Sequence, residues 1–365
     1  MAGRPSDSLN FEHVTLGQKV LFGAGRAAEH LAAEVQHRGA GRVMVIAGDR
    51  ETELARQVTG QIDVHVWHNE VVMHVPAEVA ERARATAREK KVDLVVCVGG
   101  GSTVGLAKAV ALTERLPIVA VPTTYAGSEA TNVWGITDQQ RKTTGIDDIV
   151  LPATVIYDSD LTLSLPVDMS VASGLNGIAH CVDSMWAPKA DPINAALALE
   201  GIRALNEGLP LIVNDPQGRR GRDLALYGAY LAAVSFASAG SGIHHKICHT
   251  LGGTFDLPHA QTHAVVLPYV LAFNGAHAPE AERRMAEAFG ADTALAGLNR
   301  LRAEVDAPRR LSDHGFDLGD VAEAARIALE IIPASNPRPV TLGGLSDLLA
   351  AATTGDAPES LSTAS

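Results

Sequence analysis

Residues 244–259, HHKICHTLGGTFDLPH, contain four histidines in sixteen positions. Imidazole can ligate a divalent metal, transfer a proton near neutral pH, or bind an anion when it is charged. If HHKICHTL is helical, one face carries two of the histidines a turn apart, and GLNGIAHCVD repeats that i, i+4 spacing with an asparagine and a histidine. The spacing therefore predicts one shared pocket, made of Asn176, His180, His245, His249 and His259.

Two uses of such a pocket stay open on the residues alone. Three histidines can hold zinc with an open position, whereas iron also needs a carboxylate. Without metal, the same rings can donate protons or bind an anionic group. A single histidine is more often an ordinary interior or surface residue, but five histidines between residues 244 and 263 favour a shared function.

A glycine turn in VVCVGGGSTVGLAKAV is the second candidate site. Gly99, Gly100, Gly101 and Ser102 lie between a buried apolar strand and a helix. Glycines let the backbone approach an anion, and the start of the helix offers free N–H groups and a positive dipole end. The turn predicts a pyrophosphate site, with a tight ligand-free turn as the alternative. Its spacing does not fit the GxGxxG fingerprint.

A polar loop, VPTTYAGSEATN, follows the next apolar strand. Open α/β sheets bind ligands at the carboxyl ends of their strands. Thr123, Thr124 and Ser128 are therefore candidates for hydrogen bonds to a nucleotide. Lys142 could face a cofactor phosphate or ribose, or it could be a solvated surface lysine.

The order of elements predicts how these residues are positioned. Apolar runs alternate with helical stretches up to about residue 160, which is typical of a parallel sheet with crossover helices, and KVLFGAG could add an edge strand. Later segments have helical periodicity with few strand signals. We expect an α/β nucleotide-binding domain over 11–158, joined by 151–166 to an all-α domain over 159–352. Residues 1–10 should be loose, and 353–365 disordered.

Composition narrows the function classes. The chain has 365 residues and a formal net charge of −12, with no dense basic run, which argues against nucleic acid or an anionic membrane as a partner. No apolar run reaches the length of a membrane span, and the first residues lack a signal core, so we expect a cytoplasmic protein. The three cysteines have no CxxC spacing and are expected to be buried and reduced.

Four segments taken in order, GGGSTVGLAKA, VPTTYAGSEAT, GIAHCVDS and HHKICHTLGGTFDLPHAQTHAVVLPYVLAFN, resemble the iron-containing alcohol dehydrogenase superfamily, and within it the maleylacetate reductases. The resemblance covers about residues 10 to 350. It implies an N-terminal α/β nucleotide-binding domain, a helical C-terminal domain, an active site in the cleft between them, and a homodimer.

The superfamily's iron pattern is Asp-x-x-x-His in one helix and two histidines fourteen residues apart. His180, His245 and His259 match it, but Asn176 stands at the Asp position. A neutral amide is a poorer ligand than a carboxylate. The resemblance to maleylacetate reductases implies a metal-free enzyme of aromatic catabolism, in which a pocket of imidazoles without a carboxylate binds a dicarboxylate.

The implied reaction is NAD(P)H-dependent reduction of the maleylacetate C=C bond to give 3-oxoadipate. The implied catalytic set is His180, His245, His249 and His259 with Asn176, one histidine being the proton donor. Further candidates for binding the substrate carboxylates are His244, His74 and Arg338.

The same resemblance assigns Gly99 to Ser102, together with Thr123, Thr124, Ser128 and Lys142, to the cofactor. In VIAGDR, Gly48 stands at the strand end with Asp49 and Arg50 after it, so we expect NADH to be used and NADPH tolerated. The alternatives are a metal-dependent iron or zinc alcohol dehydrogenase, an NAD-containing lyase of the dehydroquinate synthase type, and a non-catalytic nucleotide-binding protein.

Overall fold

The computed structural model describes residues 9–138 and 141–362. Its N-terminal part is built on a parallel sheet of six strands in the order β1-β8-β5-β4-β2-β3. The strands are β1 (Lys19–Phe22), β2 (Val43–Ile46), β3 (Val64–His68), β4 (Leu94–Gly99), β5 (Ile118–Pro122) and β8 (Thr154–Tyr157). The central strands are apolar and fully buried because helices cover both faces of the sheet. The predicted parallel α/β fold is confirmed, with KVLF as its edge strand.

Four helices cross over between these strands: α1 (Ala27–Arg38), α2 (Thr52–Val58), α3 (Ala77–Glu89) and α4 (Gly101–Glu114). They form two apolar layers. α3 and α4 pack on one face of the sheet, and α1 and α2 pack on the other. The glycine turn and the loop after β5 leave the sheet at neighbouring positions of one edge, because Gly99 of β4 pairs with Pro122 of β5.

Two features differ from the prediction. Residues 151–166 are not only a join, because Thr154–Tyr157 form β8, which lies inside the sheet between β1 and β5. This strand has only four residues and a proline two positions before it, so its apolar signal is short. The second feature is an antiparallel hairpin of β6 (Val133–Asp138) and β7 (Arg141–Ile146), for which the sequence predicted no strands.

Nine helices follow in the described C-terminal part: α5 (Val167–Ser184), α6 (Pro192–Asn214), α7 (Arg219–Ala239), α8 (Ile243–Thr254), α9 (His259–Gly275), α10 (Pro279–Phe289), α11 (Ala294–Glu304), α12 (Val321–Ile331) and α13 (Leu342–Thr354). They surround one large apolar core. α5 lies at its centre, and every residue from Ser170 to Ser184 is buried. The predicted all-α second part is confirmed.

The expected disorder from residue 353 onward is wrong for the described part of the tail. α13 includes Thr353 and Thr354, and residues Pro358–Ser362 form a further turn of helix. Leu361 is buried in the core, and its carbonyl accepts a hydrogen bond from Arg338. The polar composition of the tail concealed this single apolar anchor.

Two further sequence inferences bear on the class of protein. Cys97, Cys181 and Cys248 are free and buried, as expected. In the part of the chain that the structure describes, no single helix is long and apolar enough to cross a membrane. The pair α7 and α8 meets that test only jointly, and it bends by 99° at the break between them.

Candidate active site

The histidines predicted to share a pocket do come together, on α5, α8 and α9. His180 of α5 stacks on His245 of α8, with ring centroids 4.8 Å apart and planes at 18°. The ring centroid of His245 also lies 6.0 Å from that of His249 and 4.8 Å from that of His263. The centroids of His263 and His259 are 4.4 Å apart. His180 and His245 are buried, whereas His249 and His259 are exposed. The cluster therefore has a buried floor and an open rim.

A buried carboxylate that the sequence reasoning missed lies under these rings. Asp183 of α5 has no exposed surface, and its Oδ2 is 2.9 Å from Nδ1 of His245. The expected pocket without a carboxylate is therefore wrong. Asn176, His180 and Asp183 follow i, i+4, i+7 spacing on one helix face. That spacing was a usable signal for this third residue.

The same carboxylate caps the start of α8. Its oxygens accept hydrogen bonds from the backbone N–H groups of Gly242 at 2.8 Å, His244 at 3.3 Å and His245 at 3.3 Å. A negative charge is favourable at a helix N-terminus. A Cβ on residue 242 would lie 2.4 Å from Oδ1 of Asp183, so only glycine allows this approach.

These contacts determine the tautomer of His245. A carboxylate that already receives N–H donors accepts one more, so Nδ1 of His245 carries the ring proton. Nε2 then presents a lone pair, and it is buried without a hydrogen-bond partner among the described residues. Oδ1 of Asn176 and Nδ1 of His180 are likewise buried and unpartnered. Three unsatisfied polar atoms in one cluster suit a polar ligand.

Burial also sets the charge of the cluster. It lowers the pKa of His180, His244, His245 and His263 well below the usual value, and neighbouring imidazoles act in the same direction. Burial raises the pKa of Asp183, while its backbone N–H donors oppose that change. The buried rings are therefore neutral in the free protein, and they act through hydrogen bonds rather than as fixed cations.

The described residues offer one compact group of possible metal ligands. Among the described residues, the one set of three His, Cys or carboxylate groups whose ligand atoms lie within 4.8 Å of one another is His244, Cys248 and His263. That set omits both members of the predicted pair, and the matching Asp position holds the amide of Asn176. Asp183 would nevertheless orient His245 equally well as a metal ligand, since such ligands take a carboxylate partner.

Three further residues were predicted to bind the substrate, and the structure shows some of their contacts. His244 is fully buried behind the cluster, where its Nε2 hydrogen-bonds Nδ1 of His263 at 3.0 Å. Arg338 stacks on the ring of Phe273 at 4.2 Å and donates to the carbonyl of Leu361. His74 lies in the N-terminal part, where its carbonyl accepts from Thr137.

The two predicted nucleotide loops lie side by side. The N–H of Thr123 donates to the carbonyl of Gly99, and a Cβ on Gly100 would lie 3.0 Å from Thr124. Gly99 has φ 153°, and a Cβ there would lie 2.4 Å from Oγ1 of Thr103. Gly100 gives α4 no capping side chain, so the N–H groups of the first turn face outward for an anion. This cradle fits a pyrophosphate.

One helix connects this cradle to the histidines. Gly127, at φ 76°, packs so closely on α7 that a Cβ would lie 2.7 Å from Ala233. Phe236, one turn along α7, lies 4.8 Å from the ring of His180 and 4.2 Å from that of His245. No polar pattern marks Phe236 in the sequence. The side chain of Lys142 lies outside the described part, although its backbone pairs with Thr137.

Comparisons with known proteins agree with this architecture. Residues 17–159 match the family model described as iron-containing alcohol dehydrogenase, and residues 170–353 match its C-terminal counterpart. A maleylacetate reductase of Sphingobium indicum is 44% identical over 96% of this chain and 99% of its own.

Two solved structures are similar over nearly the whole chain. An iron-containing alcohol dehydrogenase from Corynebacterium glutamicum is 68% identical, with a TM-score of 0.96 over 97% of this chain and 100% of its own. A maleylacetate reductase from Agrobacterium tumefaciens is 38% identical, with a TM-score of 0.91 over 95% and 99%.

Replacing Asp183 by Asn should destabilise the start of α8 and reverse the tautomer of His245. The amide NH2 group would then face the backbone N–H donors of Gly242 and His245. This lowers the free energy of unfolding by about 1–3 kcal/mol. Nitrogen-15 NMR of labelled histidine should show the ring proton of His245 moving to Nε2. Ser184→Ala, at the next position, removes a hydroxyl that bonds only the carbonyl of His180. It should keep the tautomer; an unchanged tautomer in Asp183→Asn would contradict the assignment.

Proposed function

The chain belongs to the iron-containing alcohol dehydrogenase family, and we propose that it is a maleylacetate reductase that adds hydride to the C=C bond of maleylacetate, giving 3-oxoadipate, without a catalytic metal. The observation that carries this proposal is the pocket of neutral imidazoles with Asn176 at the Asp position, in a chain similar to named maleylacetate reductases. We further propose that it acts as a cytoplasmic homodimer in the degradation of aromatic compounds.

The substrate carries two carboxylates and a ketone conjugated to the C=C bond. When bound in the glycine cradle, NADH supplies the hydride. The ketone takes the resulting charge as an enolate, and the chain has to hold that charge and deliver one proton to carbon. Preorganised N–H donors in a water-poor site stabilise developing negative charge strongly. We propose that the amide of Asn176 and the ring of His180 donate hydrogen bonds to this charge.

His245 is the residue that we assign as proton donor. In the free protein its Nε2 is unprotonated, so this nitrogen must be protonated before it can donate. A bound dianion favours the charged imidazolium, and Asp183 stabilises that charge from the opposite nitrogen. Binding is therefore coupled to protonation, and the ring then returns to its neutral form as the enolate becomes a C–H bond.

The exposed histidines complete the pocket at its rim. His249 and His259 lie on α8 and α9, where solvent can reach their rings. We propose that they hydrogen-bond the substrate carboxylates, while His244 supports His263 from behind. Arg338 and His74 stay proposals from the sequence alone.

A metal-dependent alcohol dehydrogenase is the second candidate function. It is favoured by the similarity to the Corynebacterium glutamicum structure and by the carboxylate behind His245. Asn176 opposes it, since an amide adds no charge to a cation site.

Protein treated with a chelator and shown by elemental analysis to be free of iron and zinc should reduce maleylacetate at its full rate with NADH, because no step needs a Lewis acid. Asn176→Asp is the matched variant. It should bind divalent metal more than about tenfold tighter and lose catalytic efficiency toward the dianion. Loss of activity on chelation with recovery on adding iron or zinc would contradict the metal-free mechanism.

The end of β2 predicts the choice of cofactor. Gly48 leads into a turn where Asp49 accepts from Asn69 at 3.2 Å and Arg50 is exposed. The carboxylate should repel a 2′-phosphate and the arginine should offset part of that repulsion. We expect comparable kcat/KM values with NADH and NADPH, and Asp49→Ser should shift the ratio toward NADPH. A preference of roughly a thousandfold for either, about 4 kcal/mol, would rule this out.

A further inference from the structure

Lys108 is a buried cation that the proposed chemistry does not use. It lies on α4, two turns after the glycine turn, and only 1% of its surface is exposed. Its ammonium donates to the carbonyls of Ser128 at 2.6 Å, Thr131 at 2.8 Å and Val133 at 2.8 Å, and to Oγ1 of Thr131 at 3.0 Å. All four oxygens are acceptors, so a donor-rich group is required at this point.

The segment that Lys108 binds continues directly from the second nucleotide loop. Residues 123–128 form that loop, and residues 128–133 lead from it into β6. α4 itself begins at the glycine turn. The lysine therefore ties both halves of the cofactor cradle to one helix, below the point where Gly100 meets Thr124.

A buried acidic residue holds the loop from the opposite side. Glu129 is 2% exposed, and its Oε1 accepts from the hydroxyl of Tyr157 on β8 at 2.8 Å. Its backbone carbonyl accepts from Gln18 at 2.8 Å. The loop is therefore held from two sides, by α4 through Lys108 and by the sheet through Tyr157.

A role in stability alone would be a weak reason for this arrangement. Burying two charges costs desolvation energy, and apolar replacements of similar volume are often equally stable. Holding the loop in one conformation would instead favour ligand binding, because a preformed site loses less entropy when its ligand binds. The carbonyls around Lys108 belong to a short 3-10 turn at Ser128, to Thr131 and to the first residue of β6, so the lysine fixes the path of the backbone between the nucleotide loop and that strand.

We propose that Lys108 is a positioning residue for the nicotinamide cofactor, holding residues 128–133 so that the loop at Thr123, Thr124 and Ser128 is preformed beside the glycine turn. This inference rests on the proposed function in one respect, since it requires that NADH binds in this cradle.

The test compares cofactor affinity with turnover in Lys108→Met, which keeps the length of the side chain and removes its donors. NADH affinity is measured by fluorescence without substrate, and kcat at saturating NADH and maleylacetate. We expect the NADH dissociation constant to rise more than about tenfold, while kcat falls less than about threefold. Thr131→Val removes one of the four acceptors around Lys108, together with the bonds of that hydroxyl to the carbonyl of Ser128 and the N–H of Val133. It should give a smaller rise of the same kind, and it decides the question if Lys108→Met does not fold.

Val110→Ala is the matched control, a buried position on the same helix in the apolar layer above the sheet. It should lower thermal stability and leave the NADH dissociation constant unchanged. Unchanged NADH affinity in both loop variants, or equal weakening in Val110→Ala, would overturn the proposal. Failure of the wild-type protein to bind NADH would refute the proposed cofactor site instead.

Discussion

A single buried carboxylate organises the candidate active site. Asp183 closes the N-terminus of α8, and the same oxygen atoms hold the ring of His245. Its close approach explains why residue 242 must be glycine. Without this charge, the first turn of α8 would have unsatisfied N–H groups in the apolar core, and His245 would have no fixed tautomer. The packing of α5 against α8 therefore also fixes the orientation and the tautomer of His245.

The electrostatic consequence differs from the simplest view of a histidine-rich pocket. Four of the rings are too deeply buried to be charged in the free protein, so the pocket does not attract an anion as a set of fixed cations. In the proposed mechanism, the dianionic substrate instead brings the charge that makes protonation of His245 favourable. The neutral side chain of Asn176 is consistent with this proposal, because an acidic residue at that position would repel the substrate and favour a metal cation.

The sequence predicts much of this arrangement where the signal is local. Continuous apolar runs mark β2, β4 and β5, and i, i+4 spacing brings Asn176 and His180, and His245 and His249, onto shared faces. β8 was not predicted because it has only four residues, with a proline two positions before it, and so carries little apolar signal. The order of the tail was not predicted because a single buried leucine anchors it. The role of Asp183 was not predicted for another reason. Its partners lie about 60 residues away in sequence, so only the packing of α5 on α8 shows that it caps one helix and orients one ring.

Coupling between substrate charge and His245 can be measured directly as proton uptake. Titration calorimetry with 3-oxoadipate at pH 7, in buffers of different ionisation enthalpy, reports the protons taken up per bound dianion. The account predicts uptake approaching one proton in the wild-type protein and a clear reduction in Asp183→Asn, because the variant cannot stabilise the imidazolium. Binding of the dianion without proton uptake in the wild-type protein would contradict the account.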